Sequence, residues 1–200
     1  CSTNKVYGEH PNQKNIIELE TRYDYADIDG IDEKTPIDFT KHTPMGVSKA
    51  AADLYVQEYA RVYNLKTGVF RMGCITGYAA KSVELHNWLP FFFYKNLNQE
   101  QLNIYGFKGK QVRDLIDARD LVEAFDLFFK NPRPGEVYNM GGGRSNSVSL
   151  LEAITKIEKI TGKKMNYIVK EKREGDHQVY ITDISKFKKD YNWNIKYNLD

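Results

Sequence analysis

Apolar and aromatic residues recur at Met45, Ala52, Tyr55, Val56, Tyr59, Val62 and Tyr63, the spacing of one face of an α-helix. The pattern predicts a helix with a single buried stripe, opened by Thr43-Pro44 and ending near Asn64. Proline suits the first turn because its missing N–H has no intrahelical partner there. Positions 45 and 49 are four apart, so Met45 and Lys49 share one helix face, one turn from each other. Residues 67–71 read as a short buried strand that opens into a loop over 72–84. A helix follows from Asn87 or Pro90 to Asn98, then extended pieces at 103–106 and 111–116. A further helix runs from Asp117 or Ala118 to about Lys130, with Leu121, Ala124, Phe125 and Phe128 on one face. The turn cluster 131–135 precedes a strand at 137–140. Ser147 or Ser149 caps a helix carrying Leu150, Leu151, Ile154, Ile157 and Ile160. Residues 166–169 read as a final strand, followed by a charged loop and a short helix over 184–190.

Strands alternating with helices predict an α/β fold with a mainly parallel sheet. Residues 1–8 look like the end of a buried strand turning into a loop, so an upstream part of the fold is expected to precede Cys1. The polar, turn-rich segment 9–42 reads as one long loop, and long loops in compact domains are usually functional or disordered.

Composition narrows the function classes. The net charge of +2 comes from 29 basic and 27 acidic residues mixed along the chain, so no basic stripe for nucleic acid emerges. The longest apolar run, Trp88 to Tyr94, is far short of the ~20 residues of a membrane helix. Cys1 and Cys74 offer neither a disulfide framework nor metal-ligand spacing, and the four histidines are scattered. A cytoplasmic protein without metal, nucleic-acid or membrane partners is expected. The run Gly141-Gly142-Gly143 follows a strand, but no Lys-Ser/Thr succeeds it, so it reads as a turn rather than a phosphate loop. Phe91 to Phe93 read as packing.

Six blocks, in order, resemble the extended short-chain dehydrogenase/reductases that act on nucleotide-activated sugars. They are Ser2-Thr3-Asn4-Lys5-Val6-Tyr7-Gly8, Pro44-Met45-Gly46-Val47-Ser48-Lys49, Phe70-Arg71 through Gly77, Gly109-Lys110-Gln111-Val112-Arg113-Asp114 with Asp120, Tyr138-Asn139-Met140-Gly141-Gly142, and Arg173-Glu174-Gly175-Asp176. The resemblance implies the C-terminal part of a Rossmann-like doubly wound parallel sheet plus a smaller α/β substrate-binding domain. It places the second half of an NAD-binding domain in 1–76 and a mainly substrate-binding domain in 77–200, with some segments returning to the first sheet. The glycine-rich turn that holds a dinucleotide pyrophosphate at a helix N-terminus is absent from this stretch, so the 200 residues alone should bind NAD poorly.

By the same resemblance, Thr3 hydrogen-bonds the sugar oxygen being oxidised. Lys49 bridges the nicotinamide ribose hydroxyls. Arg113 and Arg173 clamp the substrate diphosphate, for which the planar guanidinium fork is suited. Asn87 reads the diphosphate or the sugar, unless it simply caps the following helix. The family pairs its lysine with a tyrosine four residues earlier, and here that slot holds Met45, which has no ionisable hydrogen. The wording of residues 2–8 and of Glu20-Thr21-Arg22-Tyr23 points within the family to NAD-dependent epimerases of a CDP-linked dideoxy sugar, working by transient oxidation at C2. A 4-epimerase of UDP-hexoses is the enzyme alternative, and a binding protein impaired by Met45 is the non-catalytic one. Dehydration is disfavoured, because Asn4-Lys5 stands where the dehydratases carry Asp-Glu. A homodimer or homotetramer is expected.

Overall fold

The computed structural model describes residues 1–84 and 87–199, so Leu85, His86 and the terminal Asp200 lie outside the described residues. In chain order the elements are β1 (Ser2–Thr3), β2 (Ile16–Glu18), β3 (Tyr23–Tyr25), α1 (Pro44–Tyr63), β4 (Val69–Met72), β5 (Cys74–Thr76), α2 (Trp88–Leu97), β6 (Leu102–Tyr105), β7 (Val112–Asp117) and α3 (Ala118–Lys130). They continue with β8 (Val137–Met140), β9 (Ser147–Ser149), α4 (Leu150–Thr161), β10 (Tyr167–Lys170), β11 (Val179–Tyr180) and α5 (Ser185–Tyr191).

β1, β4 and β8 form a parallel sheet in that order. Side chains alternate across it with the two-residue period of a strand. Phe70 and its cross-strand partner Tyr138 face one side, where α3 and α5 supply Leu121, Ala124 and Phe187. Arg71, paired in register with Ser2 and Asn139, faces the other side, where α1 lies. Helices thus cover both faces. A second sheet is built on β7, with β11 and β5 parallel to it and β9 antiparallel. A third, two-stranded piece pairs β6 with β10 in parallel, and α2 and α4 pack Phe92, Leu150, Ile154 and Ile157 against Leu102 and Ile104. Phe92 is buried in this cluster with Phe91 and Phe93 beside it, as the sequence reading of that run expects. Ser149 closes a capping box with Glu152 at the start of α4, satisfying two orphan N–H groups at once.

α1 corrects the sequence reading. Its apolar stripe is exposed: Tyr55 is 67% and Tyr63 64% accessible, and Met45, Tyr59 and Val62 are also exposed. The residues it buries are Gly46, Asp53, Gln57 and Ala60. The cause is an ion pair 18 residues apart in sequence. Arg71 Nε and Nη2 donate to the two oxygens of Asp53 at 2.9 and 3.1 Å, with both side chains almost wholly buried. Gln57 and Ser2 donate to the same carboxylate at 2.7 and 2.9 Å. Arg71 also donates to the Tyr7 hydroxyl at 3.1 Å, which itself donates to Asn139 Oδ1 at 2.7 Å. Burial, only partly offset by the Arg71 charge, pushes Tyr7 up to about 12, so it stays a neutral donor.

Three shorter features also depart from the expected pattern. Within 9–42, β2 and β3 form an antiparallel hairpin that buries Tyr23 and Tyr25, and the Tyr25 hydroxyl donates to the Val179 carbonyl at 2.7 Å. β5 occupies part of the expected 72–84 loop, recruited by its parallel partner β7. β10 is not the last strand, because β11 follows it. These strands are two to four residues long and hold no periodicity of their own.

Replacing Asp53 by alanine strands a buried guanidinium. Urea unfolding is expected to show a loss of about 3–5 kcal/mol, the usual cost of breaking one side of a buried pair. A loss under about 1 kcal/mol would show that α1 is held by something else.

Candidate active site

Thr3 ends β1 and caps the tight turn Asn4–Tyr7: its Oγ1 accepts from the Lys5 N–H and donates to Asn4 Oδ1, both at 3.3 Å. Gly8 ends that turn at φ 52°, a conformation that favours glycine, with the Lys41 carbonyl so near that a Cβ would meet it at 2.5 Å. The first turn of α1 packs on the same segment. A Cβ at Gly46 would come within 2.7 Å of the Lys5 carbonyl, so a side chain there would push the helix off the strand end. Thr43 fixes the helix start, its Oγ1 accepting from Gly46 N at 3.1 Å. His42 Nε2 donates to the Val6 carbonyl at 2.9 Å.

Met45 is therefore carried by the helix turn that rests on the Thr3–Lys5 segment, half-exposed, with Lys49 one turn on. Lys49 is exposed and engages no partner among the described residues. It is free to meet a ligand hydroxyl from outside the chain.

The second half of the site converges on Asp176. Arg113, from β7, donates through Nη2 to Asp176 Oδ1 at 3.3 Å, while Arg173 donates through Nε and Nη2 to Oδ2 at 3.1 and 2.9 Å. Burial pushes the Asp176 carboxyl up, but the charges of Arg113, Arg173 and Lys5 outweigh it and hold it below its ordinary value. Lys5 Nζ donates to the Gly175 carbonyl at 2.8 Å, which joins this cluster to the turn beginning at Thr3. Burial, with the Arg113 charge beside it, lowers Lys5 to about 8. Thr43 packs against Gly175, and Lys41 pairs with Glu174, closing a cavity of about 210 Å³ against His42 and Pro44. His177 is buried behind Asp176, donating through Nε2 to the Gly8 carbonyl at 2.7 Å, and burial holds its pKa well below the usual value.

The structure thus brings Thr3, Met45, Arg113 and Arg173 to one region, while the Asn87 side chain bonds none of them. Asn87 starts α2 in a left-handed conformation, but its side chain makes no capping bond, and its Nδ2 donates instead to the Lys81 carbonyl at 3.1 Å. The helix-cap alternative for Asn87 is therefore corrected in its side-chain sense. Two members of the cluster escaped the sequence reading, Lys5 and Asp176. The signals were the position of Lys5 two residues after Thr3 and the three-residue spacing from Arg173 to Asp176. No group of three or more His, Cys, Asp or Glu among the described residues is arranged to hold a metal, and no described helix is long and apolar enough to cross a membrane.

The sequence profile of the NAD dependent epimerase/dehydratase family matches residues 1–141. The chain belongs to that family. CDP-paratose 2-epimerase of Salmonella typhi is 36% identical over 203 residues, covering 98% of this chain and 59% of that protein. Among solved structures, dTDP-glucose 4,6-dehydratase of Bacillus anthracis in complex with NAD matches with a TM-score of 0.74 at 26% identity, over 98% of this chain and 56% of that one. UDP-glucose 4-epimerase of Thermotoga maritima with UDP-glucose matches with a TM-score of 0.76 at 25% identity, over 99% and 58% respectively. The chain accordingly spans little more than half the length of each. The epimerase/dehydratase fold of these relatives, a Rossmann-like α/β architecture, is the one described above.

The depressed Asp176 pKa has a sign. Its ion pairs stabilise the fold fully above the unfolded carboxylate value of about 4 and are lost as pH falls through the lower folded value. Urea midpoints measured at pH 5 and pH 3 are expected to fall less in Asp176→Asn than in the parent. An equal fall in both would remove Asp176 from the acid response.

Proposed function

We propose that the chain forms the larger part of a nucleotide-sugar epimerase, acting on CDP-paratose to give CDP-tyvelose. The observation that carries this reading is the convergence of Arg113 and Arg173 on one carboxylate, joined through Lys5 to the strand end that bears Thr3. Two guanidiniums aimed at one anion within reach of a hydroxyl and a helix start suit a diphosphate with a sugar attached. The identity to the Salmonella typhi epimerase over nearly the whole chain supports the choice of sugar. UDP-hexose 4-epimerisation would use the same groups and is the alternative.

In this reading residues 1–76 are the second half of the NAD-binding domain and 77–200 mainly the substrate domain. Lys49, exposed and unengaged among the described residues, fits the nicotinamide ribose hydroxyls. Bound NAD would supply the hydride acceptor and donor at the sugar carbon. Thr3 Oγ1 can accept and donate in turn, holding the sugar oxygen as it changes between hydroxyl and carbonyl. Arg113 and Arg173 exchange Asp176 oxygens for phosphate oxygens. Asn87 keeps Oδ1 as an acceptor, which suits a sugar hydroxyl better than a phosphate. The exposed stripe of α1, with Leu54, Tyr55, Tyr59 and Val62, suits burial against a second copy, in a homodimer or homotetramer.

Met45 favours a second reading. A thioether moves no proton, so the site retains its binding groups without the tyrosine of its relatives. Incubating CDP-paratose with full-length protein, as Met45 and as Met45→Tyr, and following the sugar by NMR separates the two. Turnover rising by about 10²–10⁴-fold on restoring tyrosine is expected, the usual contribution of a positioned acid–base group. Equal turnover in both would move the proton transfer to another residue. Silence in both, with CDP-paratose bound, would leave a nucleotide-sugar binding protein.

A further inference from the structure

Three cations and one carboxylate meet at the junction of the two halves of the site. Arg113 and Arg173 are held by Asp176, while Lys5 spends its hydrogen bond on a neutral carbonyl, that of Gly175. The other groups facing Lys5 do not neutralise it. Cys74, on β5, is half-buried, and desolvation pushes its thiol up, so it carries no charge. His177 is held neutral by the same burial. Glu9 lines the same cavity as Gly175 and its charge reaches Lys5, but its carboxylate accepts from Asn12 Nδ2 at 2.7 Å and makes no ion pair with Lys5. Counted against Asp176, the three hydrogen-bonded cations Arg113, Arg173 and Lys5 leave an excess of two positive charges, with Lys5 and Arg113 half-buried and Arg173 exposed. An arrangement of that kind is stable when an anion completes it, and a diphosphate diester carries the matching two negative charges.

We propose that Lys5 is a third substrate-contacting cation, donating to the diphosphate of the nucleotide sugar beside Arg113 and Arg173. The proposal rests on the nucleotide-sugar reading and adds a residue to it. The geometry serves both states. Without ligand, the Gly175 carbonyl satisfies one of three Nζ donors and tethers the loop carrying Arg173. With ligand, the remaining donors are free to take phosphate oxygens without breaking that tether. Because Lys5 is one residue from Asn4 and two from Thr3, the same short turn would then fix the diphosphate and the sugar oxygen at a set distance.

A titration signature follows. Lys5 loses its charge as pH rises through about 8, whereas the guanidiniums do not titrate in that range. Affinity for the diphosphate should therefore be full near pH 7 and decline towards pH 9.

The test is calorimetric titration of full-length protein with CDP-glucose, whose diphosphate diester has no ionisation of its own in this range. Lys5→Met is expected to weaken binding at pH 7 by about ten- to a hundredfold, the worth of a hydrogen bond between charged groups. Lys5→Arg should keep most of the affinity and remove its decline between pH 7 and 9, a change that a purely structural lysine would not produce. Circular dichroism identifies a misfolded Lys5→Met, in which case the Lys5→Arg pH profile decides. Binding by Lys5→Met equal to the parent, or a decline that persists in Lys5→Arg, overturns the assignment of Lys5 alone. A parent protein that binds neither CDP-glucose nor UDP-glucose overturns the nucleotide-sugar reading and Lys5 with it.

Discussion

The buried pair between Asp53 and Arg71 sets the geometry on which the rest of the molecule depends. A helix whose apolar residues form a clean stripe would ordinarily turn that stripe inward, since apolar burial is worth about 25 cal/mol per Å². Here the helix does the opposite. Asp53, with Gln57 and Ser2 donating to it, must reach a guanidinium that stands on the inner face of β4. An unpaired charge in that position would cost several kcal/mol, more than one or two exposed aromatic side chains forgo. The polar side goes in, and the rotation of α1 about its axis is fixed.

That rotation has chemical consequences at the other end of the helix. The residues that seat the first turn are Thr43 through its cap, Gly46 through its close approach to Lys5, and Asp53 two turns later. With these fixed, residues 45 and 49 are carried on the outer side of the helix, above the end of β1. The arginine cluster is joined to the same strand end by the Lys5 to Gly175 bond and by Thr43 against Gly175. Two sites of charge, brought from residues more than a hundred apart, share one short turn as their common support. Asp176 keeps the two guanidiniums apart and oriented, since without a counter-ion they would repel each other.

Much of this was legible from the sequence, and the exceptions have physical causes. α3 and α4 were readable because their caps and apolar faces agree with each other: Asp117 and Ser149 start them, and Leu121, Ala124, Ile154 and Ile157 go inward. Thr3, Arg113 and Arg173 were named from their motifs as candidates, and the structure places the two arginines on one carboxylate. The burial of α1 was not readable, because periodicity reports that a face is apolar and not what covers it, and because the decisive partner, Arg71, is on another element. The hairpin β2–β3 and strand β5 were invisible for a similar reason: each is three residues long and is extended because a neighbouring strand pairs with it. Lys5 looked like a substitution that removes chemistry. Only its placement against Gly175, Arg113 and Asp176 gives it any.

Met45 can now be separated from the architecture that carries it. None of the contacts that seat α1 uses its side chain, which is half-exposed, so the fold places no demand on the residue at that position. A tyrosine there would meet the same open surroundings, and methionine is not a packing solution to a local problem. The groups that bind charge, by contrast, are tied into the scaffold: Asp176 is hydrogen-bonded by both arginines, and Lys5 anchors a loop. Losing any of them would disturb the structure, whereas nothing in the fold depends on the side chain at position 45. In the function proposed above, such a division would let proton transfer be lost or moved to another group while the charged cluster stays intact. In that reading binding and turnover are separable, and each has to be measured on its own.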